Sequence, residues 1–344
     1  MRIGILTGGG DVPGLNAAIR AVARRAFDYG WEVYGIYDGW KGLRDGDIRP
    51  LDRSAVSGIL HTGGTILGSS RTNLTKKPAE MEKAIENAQK YGLDAIVAIG
   101  GDDTLGVCAA MTQRGVPAIG IPKTMDNDLV GTDSCIGFNT AVTTVADALD
   151  KLHSTAEAHH RVIVVEVMGR YTGWVAMMGG LAGGADYILI PETPSSITEV
   201  CEHIKRRWAS GKKFSIIVMA EAARIAEICA DEAEAERRKD EFGHVRADLR
   251  GLAYTVATAI EDRTGFETRF VVLGHLQRGG SPTVFDRVLA TRMGVYAVEL
   301  IKQGKFGRMV ALQGDKIGDV PLEEVANKRK EVDKDLCALA QMFY

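Results

Sequence analysis

The chain has 344 residues with 42 basic and 45 acidic side chains, a net charge of −3, 45% hydrophobic residues and 25% charged residues. This balance excludes a disordered or fibrous chain, and it lacks the basic excess that general nucleic-acid binding requires, so no nucleic-acid partner is expected. Forty glycines against nine prolines exceed the usual ~7% glycine, so the backbone is expected to be closely approached at specific places. In chain order, residues 3–6 form a predicted strand. A glycine loop, Gly8-Gly9-Gly10-Asp11-Val12-Pro13-Gly14, follows, and then a predicted helix over 16–27. Strands are predicted at 32–36, 95–99, 118–121, 161–167, 187–190, 214–219 and 269–273, with a helical pattern at 105–112. Strands alternating with helices imply right-handed βαβ units, mostly parallel sheets and ligands at the carboxyl ends of strands. The length suits one large domain or two. The stretch 222–250 is rich in alternating charge and reads as a solvated surface insertion. Cys108, Cys135, Cys201, Cys229 and Cys337 form no CxxC pair, which points to reduced thiols and a cytoplasmic setting. No run of ~18 apolar residues and no leader pattern is present, so no membrane partner is expected.

Three segments at predicted strand ends carry chemistry. Gly8–Gly10 precede a helix, where close backbone approach and unpaired N–H groups suit a phosphate; a tight turn is the alternative. The loop matches neither GxxxxGK[ST] nor GxGxxG. Gly100-Gly101-Asp102-Asp103-Thr104 places two carboxylates beside glycines. That arrangement suits a hard cation such as Mg2+ completed by phosphate and water, or simply first-turn acids on a helix. Pro122-Lys123-Thr124-Met125-Asp126-Asn127-Asp128 offers a carboxylate base and a cation for phosphoryl charge, or else a polar turn. Met168-Gly169-Arg170, Glu221, and His275 to Arg278 lie downstream, and Arg161 and Arg269 border strands. Taken together, glycine/aspartate loops with several arginines form a phosphoryl-transfer pattern.

These segments resemble the 6-phosphofructokinase family in content and order. The shared motifs include TGGGDVPGLNAAIR, GGTILGSSR (63–71), GGDDT, PKTMDND, GFNTA (137–141), EVMGR (166–170), GLAGGA (180–185) and LGHLQRGGSPTVFDR (273–287), and the resemblance spans about residues 2–330. It implies an α/β fold of two Rossmann-like three-layer αβα domains with mostly parallel sheets and the active site between them. The donor domain would comprise 1–138 plus about 277–330, and the fructose 6-phosphate domain about 139–276, with 331–344 a tail packed on the body. By the same resemblance Asp126 is the general base, Asp102 the magnesium-linked carboxylate, and Gly10 a backbone donor to the transferring phosphoryl group. Arg71 contacts the donor together with Asp103 and Thr104, and Arg170 the transition-state phosphate. Thr124, Met125, Met168, Gly169 and Glu221 contact the sugar. His275 and Arg278 bind its 6-phosphate, and a neighbouring subunit of a homodimer or homotetramer contributes Arg161 and Arg269.

The implied reaction is magnesium-dependent phosphorylation of the 1-hydroxyl of fructose 6-phosphate in glycolysis or gluconeogenesis. Members using ATP usually have Gly after the Asp102 equivalent, and Gly is common beside Thr124; here Asp103 and Lys123 stand at these places, as in members using pyrophosphate. A carboxylate at Asp103 would meet a nucleotide α-phosphate. Like charges ~4 Å apart cost about 1 kcal/mol in water and about four times that near a protein surface. Pyrophosphate escapes the clash, so it is the expected donor, with ATP the alternative and a reversible reaction implied. Arg20, Arg24 and Arg53 match part of the effector site of bacterial ATP-using members, and Asp186 stands where a magnesium-linked Glu is usual. His153-Ser154 replaces an expected Arg, so strong effector control is not expected.

Overall fold

The computed structural model describes residues 1–228, 251–325 and 328–344; most of the charged stretch expected as an insertion at 222–250 lies outside them. The strands are β1 (Arg2–Thr7), β2 (Glu32–Ile36), β3 (Ile48–Leu51), β4 (Ala95–Gly100), β5 (Ala118–Pro122), β6 (Val162–Val167), β7 (Tyr187–Leu189), β8 (Ser195–Ser196), β9 (Ser215–Ala220), β10 (Ile225–Ala226), β11 (Thr268–Val272), β12 (Arg308–Gln313) and β13 (Lys316–Pro321). The principal helices are α1 (Leu15–Asp28), α2 (Trp40–Asp45), α3 (Pro78–Lys90), α4 (Asp102–Gln113), α5 (Phe138–His159), α6 (Trp174–Ala182), α7 (Ile197–Ala209), α8 (Leu252–Thr264) and α9 (Val284–Lys302), with α10 (Leu322–Val325) and α11 (Lys334–Gln341) following. The described residues group into two compact units. The first is Met1–Met125, Leu129–Thr140 and Arg278–Arg329; the second is Asp126–Asp128, Ala141–Gln277 and Lys330–Tyr344.

The first unit is built on a sheet of order β13-β12-β5-β4-β1-β2-β3. β12, β5, β4, β1 and β2 run parallel, while β3 and β13 close the edges antiparallel. β4 is buried along its whole length, as the uninterrupted apolar run 95–99 predicts for a central parallel strand. Alternation sends Ile96 and Ala98 to one face, where Leu43 of α2, Met81 of α3, Leu105 and Met111 of α4 and Leu322 of α10 complete a core. Helices α1 and α9 pack tightly together in the same unit. At their contact a Cβ on Gly294 would lie 2.7 Å from Ala21 Cβ, so the close approach depends on glycine. The chain passes from β1 to β2 on one side and returns with β4 on the other side of β1. The order therefore reverses between β1 and β4, the position where ligands bind in open α/β sheets.

The second unit has a parallel sheet of order β11-β6-β9-β7. Val162, Val164, Ile217 and Met219 face α7 and α8, and these helices supply Val200, Ile204, Val256 and Ile260 to the core. Helix α7 starts with a capping box in which Ser196 accepts from the Glu199 N–H and the Glu199 side chain accepts from the Ser196 N–H. Tyr344 stacks on Tyr187 of the edge strand β7, and its hydroxyl lies within hydrogen-bond distance of both main-chain polar groups of Ile188, which anchors 330–344 on this unit. No helix among the described residues is long and apolar enough to cross a membrane. Cys108, Cys135, Cys201 and Cys337 are buried; burial pushes the Cys108 thiol up to about 12, so it stays protonated and inert.

Candidate active site

All three chemistry-bearing segments of the first unit sit at the carboxyl ends of adjacent strands. Gly8–Gly10 follow β1, Asp102 and Asp103 follow β4, and Lys123 follows β5. The expected second loop is shorter than its sequence suggests. α4 begins at Asp102 rather than near 105, so Asp102 and Asp103 lie in its first turn, where acids favour the positive helix end. Gly101 is the N-cap and offers no side chain to that turn. Thr104 is buried, and its side chain fills the space beside Gly8 and Gly100; a Cβ on Gly8 would meet Thr104 Oγ1 at 2.5 Å. Trp40 Nε1 donates to the Thr104 carbonyl at 3.2 Å, which holds the turn from the far side.

Gly9 has φ +79°, left-handed backbone that favours glycine. A Cβ on Gly10 would run into the Arg278 guanidinium, whose Nη1 donates to the Asp11 carbonyl at 3.2 Å. The loop is also tied to the GGTILGSSR segment: Gly9 N–H donates to the Ser70 carbonyl at 3.0 Å, and Ser69 Oγ donates to the Gly9 carbonyl at 2.5 Å. Gly9, Gly10, Asp11, Thr65, Ser69, Ser70 and Arg71 line a cavity of about 460 Å3. Gly10 and Arg71 are expected from the sequence; Thr65, Ser69 and Ser70, from the same GGTILGSSR segment as Arg71, join them in this lining. Lys123 is 2% exposed, and its ammonium donates to the carbonyls of Gly8 at 2.9 Å and Gly10 at 2.5 Å. The buried charge thus lies against the loop's carbonyls, which satisfy it away from water.

Among the described residues no group of three or more His, Cys, Asp or Glu is placed to hold a metal ion. A hard cation held by one or two carboxylates and completed by phosphate and water needs no such group, so the Asp102–Asp103 turn beside the glycine loop fits Mg2+.

The second unit holds several of the residues expected to contact the sugar. Asp126 is 6% exposed, and its carbonyl accepts from Thr172 Oγ1 at 3.4 Å. Glu221, just beyond β9, accepts from the N–H groups of Gly169 at 3.2 Å and Arg170 at 2.7 Å. Arg170 has φ +58°, a left-handed conformation unusual for a residue with a side chain, and the Glu221 carboxylate holds the peptide that carries it. Burial and then the neighbouring Asp126 carboxylate push Glu221 up to about 7, against the opposing effect of those two N–H groups. Met168 and Gly169 follow β6, and Thr124 and Met125 follow β5 in the first unit.

His275 and Arg278 share a short 3-10 helix, Gly274–Arg278, whose buried Gln277 donates to the Gly274 carbonyl at 3.1 Å. His275 is exposed and groups with the second unit, whereas Arg278 groups with the first, against the glycine loop. Arg161 and Arg269 are brought together at the opposite end of their sheet. Both bind Glu267 Oε1, at 2.8 Å and 2.6 Å. Arg161 precedes β6 and Met168 follows it, so at ~3.3 Å per residue they are about 23 Å apart. Within one chain these two arginines are therefore separated from the residues at the carboxyl ends. Asp186 pairs with Arg207 at 2.6 Å and accepts from the Ile216 N–H at 2.9 Å, an internal use of that carboxylate.

The family profile described as Phosphofructokinase matches residues 2–301. The whole chain is 47% identical to 99% of a Dictyoglomus thermophilum protein named pyrophosphate–fructose 6-phosphate 1-phosphotransferase. It is 48% identical over 336 residues to ATP-dependent 6-phosphofructokinase 2 of Streptomyces coelicolor, covering 97% of each. The solved structure of phosphofructokinase from Saccharomyces cerevisiae matches 94% of the chain with a TM-score of 0.81 and 32% identity, and the chain spans 45% of that longer polypeptide. Overall identity is nearly equal for the two donor specificities, so the donor has to be argued from individual residues.

Proposed function

The chain belongs to the phosphofructokinase family, and on that premise we propose that it transfers a phosphoryl group from pyrophosphate to the 1-hydroxyl of fructose 6-phosphate, giving fructose 1,6-bisphosphate and phosphate. The observation that carries the choice of donor is Asp103 in the first turn of α4, at the β1/β4 reversal where the donor phosphates would lie. A carboxylate there opposes a third phosphate and tolerates a donor that lacks one. The name of the Dictyoglomus relative supports this reading. The alternative, ATP as donor, draws its support from the Streptomyces relative's name.

In this reading Asp126 accepts the proton of the attacking 1-hydroxyl, and Asp128 supports it. Gly10, Arg71 and Thr104 orient the donor, and Arg170 with Lys123 offsets the charge that develops on the transferring group. Met168, Gly169, Glu221, Thr124 and Met125 orient the sugar. His275 and Arg278 bind its 6-phosphate; one Arg278 N–H is committed to the Asp11 carbonyl, which fixes the fork and leaves its other donors for the substrate. Mg2+ bound through Asp102 would neutralise charge on the donor phosphates. We place the enzyme in the cytoplasm as a homodimer or homotetramer in which Arg161 and Arg269 serve the neighbouring subunit's sugar phosphate. Their distance from Met168 along β6 supports that assignment.

The reverse direction is a selective test. Fructose 1,6-bisphosphate incubated with the protein, Mg2+ and inorganic phosphate should yield fructose 6-phosphate and pyrophosphate. Conversion that requires ADP instead of phosphate would overturn the proposed donor.

A further inference from the structure

The ammonium of Lys123 donates to two main-chain carbonyls of the glycine loop, which suggests a role in addition to charge on the transferring group. A trans peptide is planar, so a C=O and the following N–H point in opposite directions. Lys123 Nζ takes the Gly10 carbonyl from the buried side, and the Asp11 N–H is therefore turned away from Lys123. It also takes the Gly8 carbonyl, while Ser69 takes that of Gly9, so all three glycine carbonyls are held. The Gly8 and Gly9 N–H groups are used within the protein, by the carbonyls of Ile99 and Ser70. Those of Gly10 and Asp11 have no acceptor among the described residues, and both residues line the cavity that Arg71 shares.

We infer that Lys123 is a positioning residue for the donor: its hydrogen bonds to the Gly8 and Gly10 carbonyls aim the Asp11 N–H, beside that of Gly10, at a donor phosphate. The inference rests on reading this cavity as the donor site. It assigns Asp11 a main-chain contact that its side-chain chemistry does not suggest. For binding of the donor, as distinct from the transfer step, it makes the hydrogen-bonding capacity of Lys123 more important than its charge. The aspartate side chain itself has no part in the contact.

Methylenediphosphonate, a non-hydrolysable diphosphate, separates the possibilities when titrated by calorimetry in the presence of Mg2+. Lys123→Met should weaken its binding about ten- to hundredfold, the range for a lost charged hydrogen-bond pair, and leave fructose 6-phosphate binding unchanged. Lys123→Gln removes the charge but keeps two N–H donors, and should recover most of that loss. A Gln variant as weak as the Met variant would overturn the inference in favour of direct charge. If Lys123→Met does not fold, the Gln variant against wild type decides alone: a loss of tenfold or more contradicts the inference, and a loss under about threefold supports it. Failure of the wild-type protein to bind the diphosphonate would instead sink the assignment of the cavity to the donor.

Discussion

Asp126 and Asp103 carry the largest consequences at the residue scale. Asp126 is buried beside Glu221 in the second unit, where a proton acceptor would serve the sugar hydroxyl. Replacing it with Ser should lower kcat by about 10²–10⁴ with little change in either KM, as expected for loss of a general base. Steady-state kinetics would check this, and a variant retaining wild-type kcat would remove Asp126 from the role. The proposed role of Asp103 is exclusion of a third phosphate. Asp103→Gly should improve kcat/KM for ATP by about tenfold or more, since even 1.4 kcal/mol of relieved repulsion corresponds to that factor. Both positions are singled out by the family resemblance of the motifs that hold them. What could not be read was the environment of Lys123 and Arg278. Lys123 meets Gly8 across 115 residues and Arg278 meets Asp11 across 267, so folding alone reveals that both bear on one loop.

At the scale of elements, the clearest strand ends in the sequence are those where the apolar run stops at Gly or Pro, as at Gly100, Pro122, Pro191 and Gly274. The start of α4 was less clear, since Asp102 and Asp103 read equally as loop and as first-turn acids. The start of α5 depends on a distant residue. Asp286, fully buried on α9, accepts from the N–H of Gly137 at 3.0 Å and from the N–H and hydroxyl of Thr140 at 2.8 and 2.6 Å. The GFNTA and SPTVFDR motifs thus lock together, a pairing invisible in either motif alone. Asp286→Ala strands those donors and should destabilise the protein by about 2–4 kcal/mol, whereas Asp286→Asn keeps an acceptor and should cost less; denaturant titration of both would check the order. Glu221 gives a pH prediction. Its carboxyl is raised from 4.5 to about 7, so the folded state favours its protonated form. Its contribution to stability is fully present below 4.5 and is lost as pH rises through about 7. The thermal midpoint of wild type relative to Glu221→Gln should therefore fall over that interval, and a constant difference would contradict the shift.

At the scale of the whole molecule, Arg161 and Arg269 lie at the end of their sheet away from Met168 and Glu221. If each serves a neighbouring subunit, Asp126→Ala and Arg269→Ala proteins should each be nearly inactive. Subunit exchange between them should then restore activity, because a hybrid pair carries one site with both residues intact. Mixtures no more active than the separate variants would confine these arginines to their own chain. The family and its α/β architecture were legible because long motifs recur in one order, and the profile match across 2–301 agrees with that reading. The donor is a finer matter, since relatives named for each donor are 47% and 48% identical to this chain. The most direct measurement is the initial rate of fructose 1,6-bisphosphate formation by purified protein with Mg2+ and fructose 6-phosphate, supplied with pyrophosphate or with ATP. The account predicts rapid turnover with pyrophosphate and little with ATP; turnover with ATP and none with pyrophosphate would contradict it.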